Sequence, residues 1–194
     1  MQLYRKALRD FDRLLKKAQA TSLNEPTAVT LATANAAGRP SARVVLLKSF
    51  DENGFVFFSN RESRKGHDLA ANPVAALCFY WDPLRRQALI EGSVLPISEE
   101  ESDAYWLTRP RKSQIGAWAS LQSRPMETRG KLLARVVSFS ARFAGKKIPR
   151  PNYWGGYRLV PVRIEFWSKK AFRLHERKVY QKEQGQWTCQ LLYP

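Results

Sequence analysis

Apolar residues in the first twenty positions recur at helical spacing. Leu3, Ala7, Phe11, Leu14, Leu15 and Ala18 share one face of a 3.6-residue repeat, which predicts a docking helix over residues 3–20. The period then shortens towards two. Thr27–Ala34 is rich in β-branched residues, Asn35–Pro40 holds turn formers, and Ser41–Phe50 reads as a second strand. Asp51-Glu-Asn-Gly54 carries the Asn-Gly hairpin signal, so Gly54–Ser59 returns antiparallel. Asn60 or Ser63 can cap a short helix reaching Ala71, which Asn72-Pro73 stops. Val74–Trp81 and Arg86–Pro96 are further strands on either side of Asp82-Pro83. Ser98 and Glu101 have capping-box spacing for a helix through Leu107. A helix is expected from about Pro125 to Phe143, followed by a basic, proline-containing loop at Lys146–Pro151. Tyr157–Trp167, Arg177–Glu183 and Gln186–Leu192 complete the strands, with a turn at Gln184-Gly185. No repeat, low-complexity run or linker divides the chain. The pattern predicts one domain, 1–194, mainly β: an antiparallel barrel with peripheral helices.

Composition narrows the classes. A chain of 194 residues, 44% hydrophobic and 12% aromatic, can bury one core. No apolar run approaches the roughly 20 residues that span a bilayer, so no membrane partner is expected, and the N-terminus lacks the apolar stretch of a signal peptide. Cys78 and Cys189 have no CxxC spacing, and Cys78 sits in an apolar run, which points to a reducing, cytoplasmic setting without disulfides. The net charge of +16 permits nucleic-acid binding. Yet the cations are scattered without a long Lys/Arg tract, so a site for small anions on a basic surface accounts for them better.

Candidate chemistry is sparse. His67 and His175 are the only histidines, and no metal-ligand spacing, GxSxG, HExxH or P-loop occurs, so no metal is expected. Any demanding chemistry would belong to a cofactor. Four clusters suit a phosphorylated one. In Arg43-Val-Val-Leu-Leu-Lys48, the two cations are five apart on a strand, face opposite sides and could serve two sites. In Ser59-Asn-Arg-Glu-Ser-Arg-Lys65, a helix start meets Ser63, Arg64 and Lys65; cations there oppose the helix dipole and favour a bound anion. The short segment from Arg109 to Ser123 concentrates Arg109, Lys112, Ser113, Gln122 and Ser123, a mixture that a simple amphipathic helix does not need; Tyr105 and Arg109 share a helix face ending at Pro110, and Ser113 follows in a loop. In the fourth, Arg173, His175 and Arg177 alternate and, if extended, project from one face near Trp167.

Together RVVLLK at 43–48, SRK at 63–65, RRQ at 85–87, RPRKSQIGAWASLQS at 109–123, and IEFW with RLHER within 164–177 resemble the pyridoxine/pyridoxamine 5′-phosphate oxidase family, from about Leu8 to the C-terminus. The resemblance implies an FMN-binding split barrel and a cytoplasmic homodimer with FMN at the subunit interface; residues 153–194 would supply dimerisation and substrate-binding strands. It implies that Arg43, Val44, Val45, Leu46, Leu47, Lys48, Phe58, Ser59, Ser63, Arg64, Lys65, Gln87, Gln122, Ser123, Trp167 and Arg177 contact FMN. Lys48, Tyr105, Arg109 and Ser113 would grip the substrate phosphate, while Arg173, Leu174 and His175 cover its ring, with Arg173 and His175 catalytic. The implied reaction is oxidation of pyridoxine or pyridoxamine 5′-phosphate to pyridoxal 5′-phosphate by hydride transfer from C4′ to flavin N5. Dioxygen is reduced to hydrogen peroxide, and the amine releases ammonia. Phenazine-type flavin oxidases of the same superfamily, or a non-catalytic flavin- or nucleic-acid-binding module, are the alternatives; a phenazine-type enzyme has no need of a substrate-phosphate grip. The chain departs from the family in places. It begins after the point where an N-terminal lid with an Arg and a Tyr is common, Glu25 stands where Asp is expected, and Phe58 where Tyr is frequent.

Overall fold

Helix α1 (Gln2–Gln19) buries the predicted stripe, with Ala7, Phe11 and Ala18 fully inaccessible. The computed structural model describes residues 2–194, so Met1 of the expected domain lies outside the described residues. The Phe11 ring meets Phe50, Phe55 and Phe79 edge-on at 4.9–5.1 Å, plugging one end of a barrel. Asp10 anchors the helix from the other side, accepting hydrogen bonds from Lys178 Nζ at 2.9 Å and the Tyr180 hydroxyl at 2.8 Å.

The barrel strands are β1 (Ala28–Ala34), β2 (Pro40–Asp51), β3 (Gly54–Asn60), β4 (Val74–Trp81), β5 (Arg86–Pro96) and β6 (Trp154–Ser168). They pair antiparallel in the order β3-β2-β1-β4-β5-β6, and β3 closes on β6. Beyond β6 the sheet continues into β7 (Glu176–Glu183) and β8 (Gln186–Leu192). Alternation places Leu31, Phe57, Leu77, Phe79, Ile90, Leu159 and Ile164 in the barrel interior. The predicted hairpin is present with Asp51 opposite Gly54. Gly54 has φ +135°, and a Cβ there would lie 2.2 Å from the Leu159 carbonyl oxygen, so glycine is required.

β2 leaves β3 partway. Its residues 47–51 pair with β3, whereas residues 40–46 pair with β1 alone, and Phe58–Asn60 of β3 pair with β6 alone. The barrel is therefore split between these two edges. Helices α2 (Arg64–Ala71), α3 (Glu99–Thr108), α4 (Arg111–Ala119) and α5 (Arg129–Arg142) gather round the opening. A second core of Trp106, Ile115, Phe143, Ile148 and Trp154 joins the α3–α5 layer to the barrel wall. Among the described residues no helix is long and apolar enough to cross a membrane.

Several expectations are corrected. Arg109–Ser123 contains α4, although its polar mixture did not read as a simple amphipathic helix; Gln114, Ile115 and Ala119 are its buried residues. Ser113 is accordingly helical, not in a loop. Helix α5 starts at Arg129 instead of Pro125, because the Thr128 hydroxyl caps it by accepting the Lys131 N–H. The Ser98 half of the capping box forms, but Glu101 turns to Arg158. β6 begins at Trp154, three residues before the expected Tyr157. Arg173 is not extended: residues 171–173 form a 3₁₀ turn in which Phe172 and Arg173 have φ of 54° and 60°.

Candidate active site

The opening between β2 and β3 is a cavity of about 940 Å³. Residues 41–46 line it from the free edge of β2, Phe58–Asn60 from β3, Arg64 and Lys65 from α2, and Tyr105 and Arg109 from the end of α3. Pro110, Ser113, Gly116, Ala117 and Ser120 complete one side at helical spacing, so α4 is a wall of the cavity, with Gln122 and Ser123 at its far end. Arg109 and Ser113 thus stand at one end of this helix and Gln122 just past the other; the helical stretch from Ser113 to Ala119 spans about 9 Å.

Arg43 and Lys48 both line this cavity, whereas strand alternation assigned them to opposite sides. The register shift between Leu47 and Ser49 breaks the alternation. Arg43 is held by the Leu31 carbonyl, the Thr33 hydroxyl at 2.7 Å and Asp68 at 3.6 Å.

Five cations line the cavity (Arg43, Lys48, Arg64, Lys65 and Arg109), with no Asp or Glu among the lining residues. Lys65 is buried, and its ammonium donates to Ser63 Oγ at 3.0 Å and Gln122 Oε1 at 2.9 Å, both neutral. Burial, with the Arg43 charge adding to it, pushes its pKa down to about 8. Arg109 has a buried Nη1 without a hydrogen-bond partner, and burial lowers its pKa too, against a small opposing effect of Tyr105. Its guanidinium carbon lies 4.5 Å from the Trp154 ring centre and 5.0 Å from that of Trp106. The Tyr105 ring stacks on Phe58 at 3.9 Å. Unpaired buried cations are costly unless an anion arrives, so the cavity is built to receive phosphate-like groups.

Five residues expected at the cofactor do not line this cavity: Gln87, Trp167 and Arg177 line a second one, and Leu47 and Ser63 line neither. Leu47 points into the barrel core. Ser63 is fully buried as the N-cap of α2; it donates to the Asn60 carbonyl and accepts from the Gly66 N–H and Lys65, so it positions Lys65.

A second, smaller cavity of about 380 Å³ gathers Tyr80, Gln87, Glu165, Trp167 and Arg177. Here the cations are compensated. Arg177 meets buried Glu165 through two hydrogen bonds of 2.7 and 3.0 Å, and Arg163 adds another at 2.5 Å. Burial alone would raise the Glu165 pKa, but these arginines hold it below the usual carboxylate range. Arg173, Leu174 and His175 line neither cavity and sit on the neighbouring turn, where Phe172 is 94% exposed and the His175 ring lies 4.7 Å from Trp167.

The two cavities are separate in one chain. A cross-strand row, Val44–Thr30–Cys78–Leu89–Glu165, runs between them over the outer face of the barrel. Four strand spacings put its ends about 19 Å apart. The face is bare and largely apolar, with Val44 and Tyr80 exposed and Ala32, Ala76, Cys78 and Leu89 half-buried. Sequence reasoning missed Trp154, Trp106 and Glu165, which fix Arg109 and Arg177. The Trp154-Gly-Gly-Tyr run, an aromatic beside two glycines at a strand start, was the available signal for the first. Among the described residues no cluster could hold a metal ion.

The family model for pyridoxamine 5′-phosphate oxidase matches residues 15–141, and that for the pyridoxine 5′-phosphate oxidase C-terminal dimerisation region matches 154–194. A pyridoxine/pyridoxamine 5′-phosphate oxidase of Myxococcus xanthus strain DK1622 is 52% identical over 184 residues, covering 95% of this chain and 89% of its own. One from Alkalilimnicola ehrlichii is 53% identical over 196 residues and covers both chains fully. Among solved structures, PhzG from Burkholderia lata 383, in complex with tetrahydrophenazine-1-carboxylic acid, superposes with a TM-score of 0.92 at 34% identity over 96% of this chain and 92% of that one.

Proposed function

The chain belongs to the pyridoxamine 5′-phosphate oxidase family, and from that premise we propose that it is a cytoplasmic, FMN-dependent homodimeric oxidase converting pyridoxine and pyridoxamine 5′-phosphates to pyridoxal 5′-phosphate. One observation carries the reading: an acid-free cavity with uncompensated cations at both ends of α4, Lys65 beside Gln122 and Arg109 beside Ser113. Two phosphates in one site, a cofactor's and a substrate's, call for that arrangement.

The donor set fits FMN. Lys65, Arg64 and Ser123 would take its phosphate, and Arg43 with the unpaired β2 edge at 44–46 would hold its polar ring atoms. Bound FMN would supply two-electron acceptance, with dioxygen as final acceptor, yielding hydrogen peroxide. Arg109, Lys48, Tyr105 and Ser113 would bind the substrate phosphate, so distant binding energy keeps the reacting carbon in register. The bare outer face supports the dimer. A two-fold packing on it would bring Gln87, Trp167, Arg177 and the Arg173–His175 turn of one protomer against the larger cavity of its partner. Arg173 and His175 would then cover the substrate ring, shed water from it and stabilise charge developing on it.

The test is direct. Protein reconstituted with FMN should be yellow, bleach anaerobically with pyridoxamine 5′-phosphate, and release peroxide and ammonia in air. Failure to take up FMN, or turnover insensitive to removal of the substrate phosphate, overturns the reading. The PhzG likeness makes a phenazine precursor the informative second substrate, since it brings no phosphate for Arg109.

A further inference from the structure

Arginines with restricted exposure in this protein generally meet a carboxylate. Arg43 meets Asp68, Arg150 meets Glu99 and Asp103, Arg158 meets Asp51 and Glu101, and Arg163 and Arg177 share Glu165. Arg109 meets none among the described residues. Its backbone caps α3 by donating to the Trp106 carbonyl, and its guanidinium lies against two indoles, at 4.5 Å from Trp154 and 5.0 Å from Trp106. Both indoles are fixed. Trp106 is 1% exposed and donates its Nε1–H to the Ile148 carbonyl at 2.8 Å, while Gln114 ties its carbonyl from α4. Trp154 packs edge-on against Trp106 at 5.0 Å and stacks on Phe58 at 5.3 Å.

The difference has a chemical consequence. A carboxylate beside a guanidinium occupies its N–H donors and cancels its charge, so an incoming anion must compete with it. A π face attracts the same cation through its quadrupole and accepts no in-plane N–H bond. We infer that Trp154, with Trp106 behind it, is a positioning residue: its indole holds Arg109 where a carboxylate would otherwise stand, leaving the guanidinium's charge and N–H donors to a phosphate monoester in the cavity. Its Nη1 is buried without a hydrogen-bond partner, so no protein acceptor takes up that side of the guanidinium. This inference rests on the substrate-phosphate role proposed for Arg109, and adds how that cation is aimed and kept unneutralised.

The experiment uses FMN-reconstituted protein with Trp154→Leu, Trp154→Phe, Trp106→Phe and Arg109→Ala, and the double variant Trp154→Leu/Arg109→Ala. Steady-state rates are measured with pyridoxamine 5′-phosphate and with unphosphorylated pyridoxamine, and pyridoxal 5′-phosphate binding is measured directly by calorimetry. Trp154→Leu should raise KM for the phosphorylated amine on the order of threefold to thirtyfold, the range expected of a desolvated cation–π contact, with kcat within about twofold and FMN affinity unchanged. Phenylalanine at 154, a weaker π face, should recover most of the loss, and KM for the unphosphorylated amine should not move. In the Arg109→Ala background Trp154→Leu should add little, because the indole acts through that cation. Additive losses, or equal losses with both amines, would mean that Trp154 only fills space. If Trp154→Leu fails to fold, Trp154→Phe and Trp106→Phe carry the test: unchanged phosphate affinity in both, with Arg109→Ala impaired, overturns the inference. If the wild type oxidises neither amine yet binds pyridoxal 5′-phosphate in an Arg109- and Trp154-dependent way, the enzymatic reading fails and this one stands.

Discussion

The two cavities differ in how they treat positive charge. In the smaller one, Arg177 and Arg163 converge on Glu165, a carboxylate that is 4% exposed, and the charges are settled within the chain. In the larger one, Lys65 rests on a serine and a glutamine and Arg109 on indoles. A closed ion-pair network leaves its arginines little charge to offer a ligand, whereas open cations hold stability in reserve for an anion. Function at the larger site is therefore bought with folded-state stability, and that trade is measurable.

The comparison breaks hardest at Glu165. Glu165→Ala leaves Arg177 with only the Tyr193 carbonyl while Arg163 keeps Glu91, so losing the charge-assisted bonds should cost about 1.5–3 kcal/mol and lower Tm by roughly 3–12 °C, read by calorimetry on flavin-free protein. A shift under a couple of degrees would mean that the network is solvated and the contrast between cavities is false. Next comes Arg109→Ala, where losing a charge-assisted contact of about 1.5–3 kcal/mol should weaken phosphorylated-substrate capture on the order of tenfold to a hundredfold. FMN retention should survive; equal loss of both would put Arg109 at the wrong phosphate.

The effect of pH is smaller and has a definite sign. Lys65 is neutral in the flavin-free protein above pH about 8, where an unfolded chain still holds that proton up to its ordinary pKa of 10.5. Stability therefore rises between those values and carries the full burial penalty below the lower one. Anion affinity runs the other way: binding of FMN should weaken as pH climbs past 8, by up to about tenfold per unit, while riboflavin, lacking the phosphate, should show no such slope. A parallel slope for both flavins would assign the titration elsewhere. The smallest expected effect is a gain: Lys65→Met should raise the Tm of flavin-free protein by about 1–3 °C while destroying FMN retention, opposite in sign to Glu165→Ala. A lowered Tm would show that the Ser63 and Gln122 bonds already repay the burial.

The barrel was legible in the sequence because its cues are local. Period-two alternation marked the strands, and Asn53-Gly54 fixed the β2–β3 hairpin within a residue. The features that were not legible depend on distant residues. α4 is short, begins after Pro110 without a side-chain cap, and turns Ser113, Gly116 and Ala117 to a cavity, so its pattern did not stand out. Phe172 and Arg173 adopt left-handed backbone with no glycine to announce it. The placement of Gln87, Trp167 and Arg177 in a different cavity from Arg43 and Lys65 follows from strand register, which depends on which strands become neighbours. Motif order along the chain names the candidates for a site without saying how far apart one chain holds them.

The tie between Asp10 and the pair Lys178 and Tyr180 joins residues 168 and 170 positions apart. On a translating ribosome, α1 emerges first and its latch nearly last. At about 5–20 residues per second Asp10 waits roughly ten to thirty seconds for that latch, although Phe50, Phe55 and Phe79, which receive Phe11, emerge much sooner. The apolar face of α1 can thus find partners early, while its polar anchor is completed only near the end of synthesis. A chain that stops before β7 would therefore keep its first helix without that anchor.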